Sequence, residues 1–218
     1  VSMTTGFNSY LMNVGQLRNQ GVELEINSTN IKNKNFEWKT TFNLSHNTNK
    51  VVNLDGDQTE IISGTQIHKI GHSYRTFYMI EFAGINPENG NPQFYTNDLL
   101  EDGTYSKEIT ENATKAKSIM LDKHAEPNIT GGLYNSFRYK WFDLSFLFNY
   151  QFGGYSYDTW AQKTEHGGYD MEANIPTYYA DSWKNPGDIT KYECFYDKSS
   201  SVAMHKITNS RRLHSTDF

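Results

Sequence analysis

The chain has 218 residues and a formal net charge of −5; 36% of its residues are hydrophobic and 15% are aromatic. With no Lys/Arg cluster, this slight acidity leaves no footprint for nucleic acid, and no apolar run of about 18 residues supplies a transmembrane helix. The aromatic content argues against disorder and suits sheets and the interfacial girdles of membrane proteins. No apolar h-region with a cleavage site is present, so no signal peptide is expected. Cys194 is alone and can form neither an intramolecular disulfide nor a thiolate metal site.

Val1 to Gly15 reads as the end of a preceding strand and its loop. Residues 16–47 then predict a β-hairpin. Val22, Leu24, Ile26, Phe36, Trp38, Phe42 and Leu44 share one face, while Glu23, Glu25, Asn27, Glu37, Lys39, Thr41, Asn43 and Ser45 share the other, around the polar turn Lys32–Asn35. Each arm reads as about 10 residues, the length a tilted strand needs to cross a bilayer. Asp55-Gly56-Asp57 and Ser63-Gly64-Thr65 are turn signals. Thr76 to Ile85 predicts a strand, Asn89-Gly90 a turn, and Phe94-Tyr95 a returning arm. Asp98 to Lys123 is polar and reads as an exposed loop. Residues 128–152 repeat the hairpin pattern. Phe142, Leu144, Phe146, Phe148, Tyr150 and Phe152 lie on one face; Asp143, Ser145, Asn149 and Gln151 lie on the other, with Leu147 interrupting. Asn174 to Trp183 predicts a short helix with Asn174 as N-cap, stopped by Asn185-Pro186-Gly187. The chain ends while entering another strand.

Alternation alone leaves two readings open. The apolar face is either the core of a soluble antiparallel sheet or the lipid face of a barrel whose polar face lines a wet lumen. The connections favour the second. Both hairpins close with very short turns, whereas residues 48–127 and 153–213 form very long connections, rare in compact soluble domains and the rule at the extracellular end of outer-membrane barrels. On that rule Glu23, Glu25, Asn27, Glu37, Lys39, Asn43, Asp143 and Asn149 face the lumen.

Several stretches carry a family resemblance. They are Asn13 to Leu24, a strand entry of the form N-x-G-x-x-x-N-x-G-h-E; Trp38 to Val51; Ala83-Gly84-Ile85 through Gly90-Asn91-Pro92; Pro127 to Ser145, with Gly131-Gly132; and Trp183-Lys184-Asn185-Pro186-Gly187-Asp188. Together, in this order, they resemble the C-terminal part of the barrel of SusC/RagA-type TonB-dependent outer-membrane transporters. The resemblance implies an all-β fold, an antiparallel transmembrane β-barrel fragment within a barrel of about 22 strands, with the plug and the final strands outside this chain. It also implies an outer-membrane location, lipid around the wall, a SusD-like surface lipoprotein and the TonB complex as partners, and import of oligosaccharide or peptide. It implies no enzyme, no cofactor and no nucleic-acid partner. A soluble or surface-anchored β-sheet binding module such as an adhesin is the alternative.

Other constellations are weaker. His68 and His72 stand four apart but on non-helical sequence, and Asp55 and Asp57 lack the later ligands of a Ca²⁺ loop. Asn97 to Gly103 only partly keeps the acidic loop of the family, so no metal is expected there. Glu23, Glu25 and Glu37 suit a wet wall better than a glycosidase pair. Tyr155, Tyr157, Trp160, Tyr169, Tyr178, Tyr179 and Trp183 are candidates to stack on sugar rings or meet a lid protein, against the plainer reading that they pack the loops together.

Overall fold

The computed structural model describes residues 13–170, 172–196 and 199–218; the strand end expected before Gly15 falls, up to residue 12, outside them. The first alternating stretch forms β1 (Gly15–Lys32) and β2 (Phe36–Leu54). The following connection carries β3 (Glu60–Ser63), β4 (Gln66–Lys69), β5 (Thr76–Ile80), β6 (Phe82–Ile85), β7 (Pro92–Tyr95), β8 (Ile109–Thr110) and β9 (Ser118–His124). The second hairpin is β10 (Ile129–Tyr139) and β11 (Phe142–Phe152), followed by β12 (Tyr155–Tyr157), helix α1 (Thr159–Thr164) and β13 (Leu213–Ser215). The frame is an antiparallel sheet in the order β1-β2-β10-β11.

Register turns the alternation into rows. On the apolar face, Phe36–Tyr139–Phe142 form the row nearest the turns, then Ile31–Trp38–Phe137–Leu144, Ser28–Thr40–Asn135–Phe146, Ile26–Phe42–Leu133–Phe148, Leu24–Leu44–Gly131–Tyr150 and Val22–His46–Ile129–Phe152. A register shift between Thr29 and Ile31 explains why Ile31 belongs here. Strict alternation would put it on the polar face; the bulge re-phases the strand by one residue. The polar residues of this face satisfy one another. Ser28 Oγ donates to Asn30 Oδ1 (2.9 Å), Asn30 Nδ2 to Thr40 Oγ1 (2.6 Å), and Thr40 Oγ1 and Trp38 Nε1 both donate to the buried Asn135 Oδ1 (2.7 and 3.0 Å). Gly131 leaves room for the Tyr150 ring, whose hydroxyl reaches across to the Asn43 carbonyl (2.7 Å); a Cβ there would collide with both.

Both turns lie at one end of the sheet. Asn33 Oδ1 accepts from the Asn35 and Phe36 N–H groups (3.0 and 2.8 Å), and Lys140 adopts φ 54° in the two-residue turn between β10 and β11. Lys140 N–H donates to Asn35 O (2.9 Å), joining the turns. At the other end β1 and β2 outrun the expected 10 residues, reaching 18 and 19. The first part of the extension, Asn47 to Lys50 on β2, is polar on both faces, so no hydropathy contrast betrays it; the backbone ladder continues regardless to Leu54.

The connections differ from expectation in three places. Asp98 to Lys123 is not simply an exposed loop: β9 pairs with β5, and Ala116 and Ile119 are buried. The strand expected over Thr76 to Ile85 breaks at Glu81, sending β5 and β6 to different sheets. The helix expected over Asn174 to Trp183 is a single 3-10 stretch, Thr177–Asp181, with no side-chain cap. The α-helix is instead α1, capped by Asp158, which accepts from Ala161 N–H at 2.8 Å; six residues are too few for a 3.6-residue period to be read. The two long connections share their cores. Phe94 and Ala116 pack with Met204 and Ile207, and Phe77 and Met79 with Leu213. Phe218 exchanges both backbone hydrogen bonds with Gln151 (2.9 and 3.1 Å), beside β11.

Candidate functional site

The polar face of the sheet gathers the charged side chains of four strands. In the row nearest the turns, Lys32, Glu37, Arg138 and Asp143 stand side by side across β1, β2, β10 and β11 with alternating sign. Glu37 lies 3.8 Å from Lys32, 3.1 Å from Lys39 and 4.0 Å from Arg138; Arg138 Nε donates to Asp143 at 2.8 Å. Opposite charges at directly paired positions favour the pairing of the strands. Farther from the turns, Asn27 and Thr41 bond at 2.7 Å, and Asn27 Nδ2 donates to Glu25 at 2.6 Å. Glu25, Asn43 and Asn149 then share a row with Gly132, and Glu23 the next with Ser45, Thr130 and Gln151. All eight residues expected to share a face do so. The carboxylates Glu23 and Glu25 lie beyond the charge ladder and give that part of the face acidic character.

The Trp183 to Asp188 motif is a self-capped turn. Asp188 Oδ2 accepts from the Lys184 and Asn185 N–H groups (3.1 and 2.8 Å), and Gly187 takes φ 98°. The turn presents Trp183 to the Asn86–Asn91 turn, where Nε1 donates to Pro87 O (2.8 Å) and the ring lies over Gly90. Gly90 is required twice: φ is 73°, and a Cβ would sit 2.6 Å from the Trp183 ring and 2.7 Å from Cys194 Cβ. Two of the stretches singled out in the sequence are therefore one contact. Beneath it, Glu111 accepts from Asn86, Asn91 and Asn89 side-chain amides (2.6, 2.9 and 3.1 Å). Burial pushes its carboxyl up, but the three amides outweigh burial and hold it below the ordinary value. A folded pKa below the unfolded one stabilises above the ordinary carboxylate pKa, and that stability is lost as pH falls through the folded value. Amide exchange at Gly90 and Cys194, whose N–H groups donate to Asn86 O and Gly90 O, is expected to speed up as pH drops below about 4.5 beyond the intrinsic rate; Glu111→Gln abolishes this acid sensitivity.

A second cluster sits between α1 and β13. Arg211 bridges Glu193 (3.1 Å) and Glu165 (3.4 Å) and lies over the Tyr192 ring (4.7 Å), while Arg212 pairs with Glu165 (3.4 Å) and donates to Met204 O (3.2 Å). Glu193 is 0% exposed, and burial raises its carboxyl pKa despite both arginines. Tyr178 donates to Glu165 (3.1 Å); burial and that carboxylate push its phenol up to about 12. Beside the cluster opens a cavity of about 570 Å³, lined among others by Phe82, Glu165, Lys191, Tyr192, Arg211 and His214. Sequence reasoning missed all six, because they are drawn from distant points of the chain and form no local pattern.

The loop aromatics divide. Tyr155 and Tyr157 pack on the Phe77–Leu213 core, and Tyr169 lies against His205. Tyr179 is 1% exposed, against Tyr192 and Phe195, which removes it from any ligand-facing surface, and Trp183 is occupied by Gly90. Trp160, 73% exposed on α1, and Tyr178 stay open. His68 stacks on Tyr74 (4.7 Å). Among the described residues no group of three or more His, Cys, Asp or Glu is placed to hold a metal ion.

The chain is 36% identical over 166 residues to TonB-dependent receptor P3 of Formosa agariphila, covering 69% of this chain and 16% of that protein. It is 26% identical over 171 residues to TonB-dependent receptor SusC of Bacteroides thetaiotaomicron, covering 72% of this chain and 16% of SusC. A solved structure of the RagAB peptide transporter matches 100% of this chain with 23% of its own, at a TM-score of 0.80 and 25% identity. The chain thus spans less than a quarter of the length of the relatives it matches. No family model matches it.

Proposed function

The chain belongs to the SusC/RagA-type TonB-dependent transporters of the outer membrane, as part of their antiparallel β-barrel, and from that membership we propose that the whole protein imports oligomeric nutrients, glycan or peptide. In this reading a SusD-like lipoprotein captures the substrate together with the long connections, and TonB supplies the energy. The turns point to the periplasm and residues 48–127 and 153–213 to the cell surface. Glu23, Glu25, Asn27, Glu37, Lys39, Asn43, Asp143 and Asn149 face the wet lumen, and Trp160 and Tyr178 are the loop aromatics left to meet substrate or lid.

The observation that carries the reading is the two-faced wall. Leu24 is 47% and Phe146 38% exposed, so the apolar face is not sealed beneath other parts of this chain. From the Phe36 row to the His46 row the strand climbs about ten residues, about 33 Å of strand and about 25 Å along the normal at a ~40° tilt. That equals the apolar band of an outer-membrane barrel. The row nearest the turns, Phe36, Tyr139 and Phe142, is wholly aromatic, as an interfacial girdle requires. One structural relative is the RagAB peptide transporter, which keeps peptide beside glycan as substrate.

Two measurements test this. Deleting the full-length gene abolishes growth on one class of oligomeric nutrient, and the gene restores growth only where TonB is present; recovery of the product in the soluble fraction without detergent sinks the proposal. In a Cys194→Ser background, Ile189→Cys is labelled by an impermeant maleimide on intact cells, whereas Lys34→Cys reacts only after lysis. The opposite pattern reverses the orientation.

A further inference from the structure

The outward face continues past its apolar band. Beyond the Val22–His46 row come Gln20–Thr48 and then Arg18–Lys50, directly paired across β1 and β2. Both cations are exposed, and among the described residues neither has a carboxylate partner. Like charges at directly opposed positions repel, and no described side chain of the sheet offsets them. The pair at the same height on the other face is the uncharged Asn19–Asn49, so the charge is aimed outward.

Depth limits what meets this pair. Arg18 lies about four residues beyond Val22, about 13 Å of strand and about 10 Å along the normal at ~40°. The headgroup layer beyond the hydrocarbon is about 5–8 Å deep on each side, and long Arg and Lys stems reach down the strand toward it. An anion at headgroup level therefore comes within reach of both side chains, and a bidentate guanidinium beside an ammonium suits a phosphate. In the orientation proposed above this is the outer leaflet, whose anion at that depth in an outer membrane is the phosphorylated glucosamine of lipopolysaccharide. The Gln20 amide stands between the cations and the apolar band, and the His46 ring closes that band, both placed for sugar hydroxyls.

We propose that Arg18 and Lys50 bind a phosphate of an outer-leaflet glycolipid of the lipid A type and hold it against the barrel wall. The site rests on the orientation in the preceding reading. The test uses the full-length protein in detergent, with lipid A, dephosphorylated lipid A and phosphatidylglycerol as probes, and retained lipid counted by native mass spectrometry. Wild type is expected to retain lipid A about thirtyfold more strongly than the Arg18→Ala/Lys50→Ala double variant, from two cations acting together. Arg18→Lys keeps most of the retention, and Asn19→Ala, on the polar face, keeps all of it. Equal retention by wild type and the double variant overturns the site, and equal retention of dephosphorylated lipid A overturns the phosphate contact. Preference for phosphatidylglycerol overturns the glycolipid. Heat-modifiable gel mobility confirms that each variant is a folded barrel. Cysteine labelling reads the orientation without any lipid probe, so failure of that reading and failure of this one are told apart.

Discussion

Arg211→Ala loosens the connection that ends at β13 by about 3–5 kcal/mol, the cost of stranding a buried charge. Glu193 has no exposed side-chain surface, and the donors that face it include Arg211 Nη1 and Met204 N–H. With the guanidinium gone, the carboxyl keeps the Met204 N–H but loses its nearest cation, and takes up a proton where pH allows. The sign follows from linkage: a folded pKa above the unfolded one stabilises below the ordinary carboxylate value, and that stability is lost as pH rises through the folded pKa. Burial already raises Glu193 in the native protein; removing its nearest cation raises it further. The loss in Arg211→Ala is therefore smallest near pH 4 and largest at neutral pH and above. Adding Glu193→Gln recovers more than about 1 kcal/mol, since the two residues are in direct contact. The readout is amide exchange and protease cleavage within residues 153–215 of the detergent-solubilised full-length protein, which report local opening of this connection. A pH-independent loss would mean that Glu193 is not the group left stranded.

Phe148→Arg costs about 2–4 kcal/mol of barrel stability, and Asn149→Arg, the next residue, costs less than about 1 kcal/mol. Phe148 shares the row of Ile26, Phe42 and Leu133, near the middle of the apolar band, and is 61% exposed. In water, placing a cation at so exposed a position costs little. In hydrocarbon it costs the transfer of a charge. Asn149 lies on the other face beside Gly132, in the polar row that runs through Asn43 to Glu25, where an added cation has polar neighbours. Urea titration of the full-length protein folding into vesicles measures both variants. Equal costs, or a larger cost at Asn149, would exclude hydrocarbon on the Phe148 side. The comparison separates a membrane wall from a soluble binding module, which alternation alone does not.

Both predictions depend on positions of different legibility. Period two along β1, β2, β10 and β11 is a local property, because successive side chains of any strand point to opposite faces. Eight polar residues from three strands, β1, β2 and β11, could therefore be assigned to one face before any pairing was known. The turns were legible for the same reason: Asn33 and the Lys140-Trp141 pair carry their geometry within two or three residues. The motif Trp183-Lys184-Asn185-Pro186-Gly187-Asp188 was legible as a unit, since Asp188 caps its own turn.

What the sequence by itself determined was thus everything set within a few residues: the two faces, the turns, the all-β class and, through ordered motifs, the family. Tertiary structure alone decided the rest. The bulge at Asn30 moves Ile31 across the sheet only because Trp38 waits on the partner strand. β9 is a strand because β5 pairs with it from some forty residues away. Trp183 has a role because Gly90 lacks a side chain. Glu165, Glu193, Arg211 and Arg212 become a buried cluster only after two connections fold onto a common core. The reason is physical: strand alternation is written in the covalent chain, whereas partners of a buried charge or an edge strand are chosen by whichever segments reach the same place.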